Sequence, residues 1–314
     1  MHKIISWYNQ NRRRILFVVM AAVIIVLIVW RLIDMVSINN PTTEIQDSKI
    51  DTNTFNSITM SSQKSAISGE TVDISQEKIS VIDNFISYCN SGKIQEAYNL
   101  ISNECKEEMY PSIKDFQEAY YKPVFGQGKK NVTVENWVGD IYVVDFNEDF
   151  LSTGKATGES SLRDYITIVR DEEDSYKLNI NKYIKQTAIN KTIGSEKISI
   201  KIVKKDIYMD YEIYTFEVTN NSVRTIALGN IQDLEASYLT DSNGLKYRAY
   251  MSELSQAQIT CPLEDTKTIK IKYNNQYSSS RKITNLVFPR AILDYEVYEK
   301  TRNYTNYAQI NFDL

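Results

Sequence analysis

The sequence predicts a single N-terminal transmembrane helix, then an α+β domain of three helices on an antiparallel sheet, then an all-β sandwich. Three observations carry this. An unbroken apolar run extends from Ile15 to Trp30. The hydrophobic period changes from 3.6 residues to 2 near residue 130. From about Ser195 the period stays at two to Leu314.

The apolar run holds sixteen residues without a charge, and reaches nineteen when continued to Ile33. At helical rise that is roughly 28 Å, close to a hydrocarbon core of about 30 Å. A soluble amphipathic helix would show a polar face, and this segment has none. A signal peptide would be shorter and end in small residues, whereas this run ends in Trp-Arg-Leu-Ile-Asp. Arg12, Arg13 and Arg14 before the span, and Trp30 and Arg31 at its end, suit the two interfaces. The positive-inside rule then puts residues 1–14 in the cytoplasm, a helix over 15–33, and the rest outside a bacterial plasma membrane.

Residues 34–75 read as a flexible linker. Ser, Thr, Asn and Gln fill 21 of the 42 positions 37–78, too polar a stretch to offset its own ordering entropy. Order is expected over 76–190. Ile79, Ile82, Phe85, Ile86 and Cys89 recur at helical spacing, and Asn90-Ser91-Gly92 is a stop. Ile94, Ala97, Tyr98 and Ile101 mark a second helix. "PSIKDFQEAYYKP" marks a third, with Ser112 and Asp115 placed as a capping box and Pro123 closing it. Four alternating strands follow, with Val132, Val134, Tyr142, Val144, Phe146, Ile166, Ile168, Leu178 and Ile180 facing inward.

The stretch "FISYCNSGKIQEAYNLISNECKEEMYPSIKDF" and the helix-then-strand order resemble the nuclear transport factor 2-like superfamily over roughly residues 76–187. That resemblance implies a cone-like α+β fold with a curved sheet, which hosts enzymes, binders and assembly factors alike. The layout of short tail, one span and external α+β domain is also similar to bitopic assembly proteins of conjugation and type IV secretion. Such relatives commonly carry a second cone domain where this chain carries alternating strands.

Residues 195–314 show seven or eight short strands, including a hairpin at "LTDSNGLKYRAY" with Asn243-Gly244 at its turn. This half resembles the immunoglobulin-like domains of Gram-positive envelope proteins, without their Cys–Trp–Cys core.

Chemistry-bearing motifs are few. His2 is the sole histidine and falls in the cytoplasmic tail, which removes histidine-based catalysis and the usual zinc sets from the exterior. Cys89, Cys105 and Cys261 are read as buried free thiols. "FGQGKKN" at 125–131 follows a helix and precedes a strand, so it is a connector and not a phosphate loop. "DEED" at 171–174 and "DSNG" at 241–244 are read as solvated turns. No catalytic, metal or cofactor residue is assigned, and an isomerase-type cavity would need a carboxylate where the inward positions are apolar. On the outer sheet face Trp137, Ile141, Val143, Tyr165 and Val169 share one parity. Apolar residues there mark an interface, with another chain, with the following half, or with a covering loop.

Residues 1–36 carry five basic groups and one acidic group, which leaves −8 on the rest of a chain of net charge −4. That balance is unsuited to nucleic acid. The expected partners are the bilayer, through the N-terminal helix, and protein, by hetero- or self-association. The expected role is a membrane-anchored extracytoplasmic binding or scaffold protein. Alternatives are an assembly component of a conjugation apparatus and, less favoured, a cavity enzyme or small-ligand binder.

Overall fold

The computed structural model describes residues 76–148 and 162–314. The predicted tail, transmembrane helix and linker, with Arg12, Arg13, Arg14, Trp30 and Arg31, lie outside the described residues. Among those described, no helix is long and apolar enough to cross a membrane.

Helix α1 (Gln76–Asn90) buries Ile79, Ile82, Phe85, Ile86 and Cys89 on one face. It ends where Gly92 adopts φ +69° and the Lys93 N–H returns to the Tyr88 carbonyl at 2.9 Å. The predicted second helix, marked by Ile94 to Ile101, ends early as α2 (Ile94–Asn99), and a further helix not predicted, α3 (Asn103–Met109), follows it. At the break, Ile101 forms a parallel bridge with Leu178, and the Ser102 and Leu178 N–H groups each donate across it at 2.9 Å. Ser102 then caps α3 by accepting from the Cys105 N–H at 3.1 Å. The third helical stretch is continuous but irregular: α4 (Ile113–Phe116), a π turn (Gln117–Tyr121) and α5 (Lys122–Phe125). The Ser112–Asp115 capping box starts it, and Pro123 lies within its last turn.

Fourteen strands follow among the described residues, all paired antiparallel in three sheets. The first sheet runs β1 (Lys130–Val138), β2 (Ile141–Glu148), β3 (Leu162–Arg170), β4 (Tyr176–Asn179) in order. The second has order β12-β7-β6-β5, from β5 (Tyr183–Gly194), β6 (Ile198–Tyr208), β7 (Glu212–Asn220) and β12 (Asp265–Tyr273). The third has order β10-β9-β13-β8-β11, with β14 (Tyr307–Asp313) also on β13. Its other strands are β8 (Ile226–Ala227), β9 (Tyr238–Asp241), β10 (Lys246–Arg248), β11 (Thr260–Cys261) and β13 (Ile283–Ile292). Two short helices, α6 (Gln256–Ile259) and α7 (Tyr295–Thr301), interrupt the strands.

This overturns the predicted fold class. The chain is not a cone-like α+β domain followed by an immunoglobulin-like sandwich. It is a mostly β arrangement of three antiparallel sheets, and nothing in their order identifies either of those folds. The described residues belong to one compact unit. The physical reason lies at the expected boundary. Only Ile180, Asn181 and Lys182 separate β4 from β5. The twelve-residue β5 then pairs along β6, from Tyr183 with Tyr208 to Gly194 with Ser199. Residues that were to close the first domain therefore form the edge of the second sheet.

Two large cores result. One lies between the helices and the first sheet and holds Phe85, Phe116, Tyr120, Val144, Phe146, Ile166 and Leu178. The inward positions predicted on the first sheet all join it, Val132 being half-buried. The other holds Ile202, Phe216 and Ile271 of the second sheet with Leu239, Phe288 and Phe312 of the third.

Candidate functional site

The turn joining the first two sheets is built on one carboxylate. Asn181 and Lys182 both have left-handed φ, +57° and +64°, which points consecutive N–H groups at one spot. Asp164 fills it, accepting from Asn181 N–H at 2.9 Å and Lys182 N–H at 2.8 Å. It also accepts from the Tyr120 hydroxyl at 2.9 Å and the Tyr165 N–H at 2.7 Å. Burial pushes its pKa above the ordinary carboxylate value, while these four donors oppose the rise.

Past this turn, the outer face of the first sheet meets the second. Ile141 packs with Ile184, Ile207 and Met209, and Trp137, Val138, Tyr165 and Tyr277 close over them. Trp137 meets Tyr165 edge-on at 5.9 Å and Tyr277 at 6.0 Å between ring centres. Of the five residues expected at an interface, Trp137, Ile141 and Tyr165 thus come together in a seam within the chain. Val143 and Val169 are half-buried and stay outside that cluster. The covering elements are β5, β6 and the loop after β12, which no sequence motif announced.

That loop, residues 274–282, connects the seam to two clefts. On its seam side the Tyr277 N–H donates to the Met209 carbonyl at 2.8 Å. On its other side a cleft of 490 Å³ is lined by Lys246, Tyr247, Arg248, Asn274, Gln276 and Arg281. A second cleft of 330 Å³ shares Gln276 and Arg281 and adds Lys185, Lys205, Glu212 and Ser279 among its walls.

Arg281 stands in both. It is half-buried. Its Nη1 donates to Asn275 Oδ1 at 2.7 Å and to the Gln276 carbonyl at 2.6 Å, and its guanidinium lies over the Tyr247 ring at 4.8 Å. Asp241 is the nearby acid, and its oxygens already accept from the Asn243 and Leu245 N–H groups and the Tyr247 hydroxyl. Burial works against the ionised form of Asp241. These bonds and the Arg281 charge outweigh it and hold the pKa low. Lys185 is exposed and, like Arg281, belongs to no ion pair among the described residues. Lys205 lies 3.5 Å from Glu212, and Arg248 reaches Glu235 at 2.5 Å.

The other expectations resolve simply. Asp171 closes the "DEED" turn by accepting from Glu173 and Ser175 N–H at 3.0 and 2.8 Å. Gly244, φ +80°, makes the turn of the β9–β10 hairpin. The three cysteines are free and buried. Burial raises the thiol pKa values of all three, that of Cys105 to about 12. Among the described residues no group of His, Cys, Asp and Glu could hold a metal ion. Comparison with protein-family models, with curated proteins and with solved structures finds no match to this chain.

Proposed function

We propose that the chain is a binding or scaffold protein of a bacterial cell envelope, anchored by the apolar run 15–33 with residues 76–314 on the outer side. The observation that carries the binding role is the pair of clefts meeting at Arg281. Its guanidinium is fixed by an amide, a carbonyl and a ring; Asp241 feels its charge, but no carboxylate among the described residues forms an ion pair with it. Such a group is preorganised to receive an anion, so little side-chain entropy is lost on binding.

The test is fractionation followed by proteolysis. The full chain is expected to remain with membranes through an alkaline wash. Protease given access to the outer leaflet of intact cells is expected to digest the region beyond residue 75. Cross-linking in membranes is expected to yield adducts of that region. Release by the wash, or full protection from protease, would overturn the anchored topology.

A further inference from the structure

We infer that the two clefts flanking Arg281 hold a linear polymer carrying spaced anionic groups, phosphate or carboxylate, on a hydroxylated backbone. The inference rests on the reading of the chain as a binding protein and names what the site would take.

The charge distribution selects an anion. The exterior part of the chain is acidic overall, yet the first cleft is lined by Lys246, Arg248 and Arg281; Glu235 pairs with Arg248 at 2.5 Å and with Lys246 at 3.8 Å, which sets three cations against one paired carboxylate. The second adds Lys185 and Lys205 against one lining carboxylate, Glu212. Glu212 accepts from the Tyr214 hydroxyl at 3.0 Å and lies 3.5 Å from Lys205, so Lys185 and Arg281 are the cations of this cleft outside any ion pair among the described residues. An excess of one sign of charge along a cleft raises the local concentration of counter-ions of the opposite sign.

The arrangement selects a chain of charges over a single ion. The cations come from both sides of the 274–282 loop: Lys246 and Arg248 on β10, Lys185 on β5 and Lys205 on β6. Arg281 belongs to both clefts, so one molecule can run through the first, pass the guanidinium and enter the second. A lone phosphate would meet one end only; at the other, Lys246 and Arg248 share the single carboxylate of Glu235, and Lys205 has that of Glu212.

The uncharged walls select the backbone. Asn274 and Gln276 amides and the Ser278, Ser279 and Thr187 hydroxyls line the clefts between the cations. These both donate and accept, which matches the hydroxyls of a polyol or a sugar. Single-stranded nucleic acid would call for successive aromatic faces. The two aromatic rings lining the clefts are engaged, Tyr247 under Arg281 and Tyr277 against Trp137.

The experiment uses the full chain in a zwitterionic detergent at low salt, titrated by calorimetry. Three polymers of matched length are compared: poly(glycerol phosphate), polygalacturonate and oligo-dT. Inorganic phosphate serves as the monovalent control. At least one of the first two is expected to bind, and which one distinguishes phosphate from carboxylate as the recognised group. Binding is expected to weaken as salt is raised. Lys185→Gln with Arg281→Gln is expected to lower affinity on the order of tenfold or more. Lys300→Gln on α7 is expected to leave it unchanged. Because Arg281 also orders the loop, Lys185→Gln and Lys246→Gln are measured singly, each with its melting temperature. The inference is overturned if neither hydroxylated polymer binds, or if folded lysine variants bind as tightly as the parent. Binding of oligo-dT or of free phosphate as tight as that of the polymers would also overturn it. Failure here with membrane attachment retained removes the polymer assignment and leaves the anchored topology standing. Polymer binding by a chain that washes off membranes does the reverse.

Discussion

Asp164 decides the geometry at which the first two sheets join. Its carboxylate accepts from four donors at once, one of them the buried Tyr120 hydroxyl. An amide in its place offers one acceptor oxygen and two new donors, so Asp164→Asn is expected to cost about 2–3 kcal/mol in a denaturant titration. The pH dependence has a definite sign. The folded pKa lies above the unfolded one, so between the two values the folded state holds a proton that the unfolded state has released. That contribution is fully present below the unfolded pKa and is lost as pH rises through the folded value. The stability difference between parent and Asp164→Asn should therefore shrink as pH rises through this window. A difference that grew instead would mean the carboxylate is stabilised, not strained, by its site. Neither Asp164 nor Arg281 was legible as special in the sequence. Several of their partners lie at distances along the chain that no local motif records, 17 and 18 residues for Asn181 and Lys182, and 34 for Tyr247.

Strands were the most legible elements. β1, β2, β3, β6, β7 and β12 each carry apolar residues at alternate positions where one face meets a large core; on β1, β2 and β3 the opposite face is also apolar at the seam, at Trp137, Ile141 and Tyr165. The split between α2 and α3 was not legible. Ile94, Ala97, Tyr98 and Ile101 satisfy helical spacing, but pairing of Ile101 with Leu178, 77 positions away, wins over local propensity. β5 was missed since its middle carries Lys185, Gln186, Thr187 and Asn190, whose polarity reflects an edge position. The seam was legible by parity on one side only. Trp137, Ile141 and Tyr165 are apolar where a solvated face would be polar, whereas what covers them comes from three separate segments. Truncating the half-buried Trp137 to Ala should cost about 2 kcal/mol, less than the roughly 3–5 expected for a fully buried ring. At this size that lowers the melting temperature by about 4–8 °C, with no change of mass by light scattering. A change of mass would mean the seam holds chains together and not sheets.

At the scale of the molecule, contacts across the sheets are numerous and of different kinds. Glu108 on α3 pairs with Lys204 of β6 at 3.5 Å and Lys270 of β12 at 2.8 Å, and its own side chain is 7% exposed. Lys191 of β5 donates to the Asp313 carbonyl of β14. Ala249 bridges Tyr273, fastening the third sheet to the second. With the seam and the Asp164 turn added, neither core can open without exposing part of the other. Chemical denaturation of the full chain should give superimposable curves from tryptophan fluorescence, which includes Trp137 at the seam, and from near-ultraviolet tyrosine dichroism, which samples both cores. Two separated transitions would show that the cores melt as independent bodies.

The three-residue passage from β4 to β5 also bears on how such a protein could have been assembled by recombination. A gene broken near codon 190 would cut β5 in mid-strand and strand Trp137 and Ile141 in water, so neither half is a cassette that can be moved whole into another open reading frame. Exchange of parts is confined to the ends of the chain and to surface turns such as 171–175. The sheets must be inherited together.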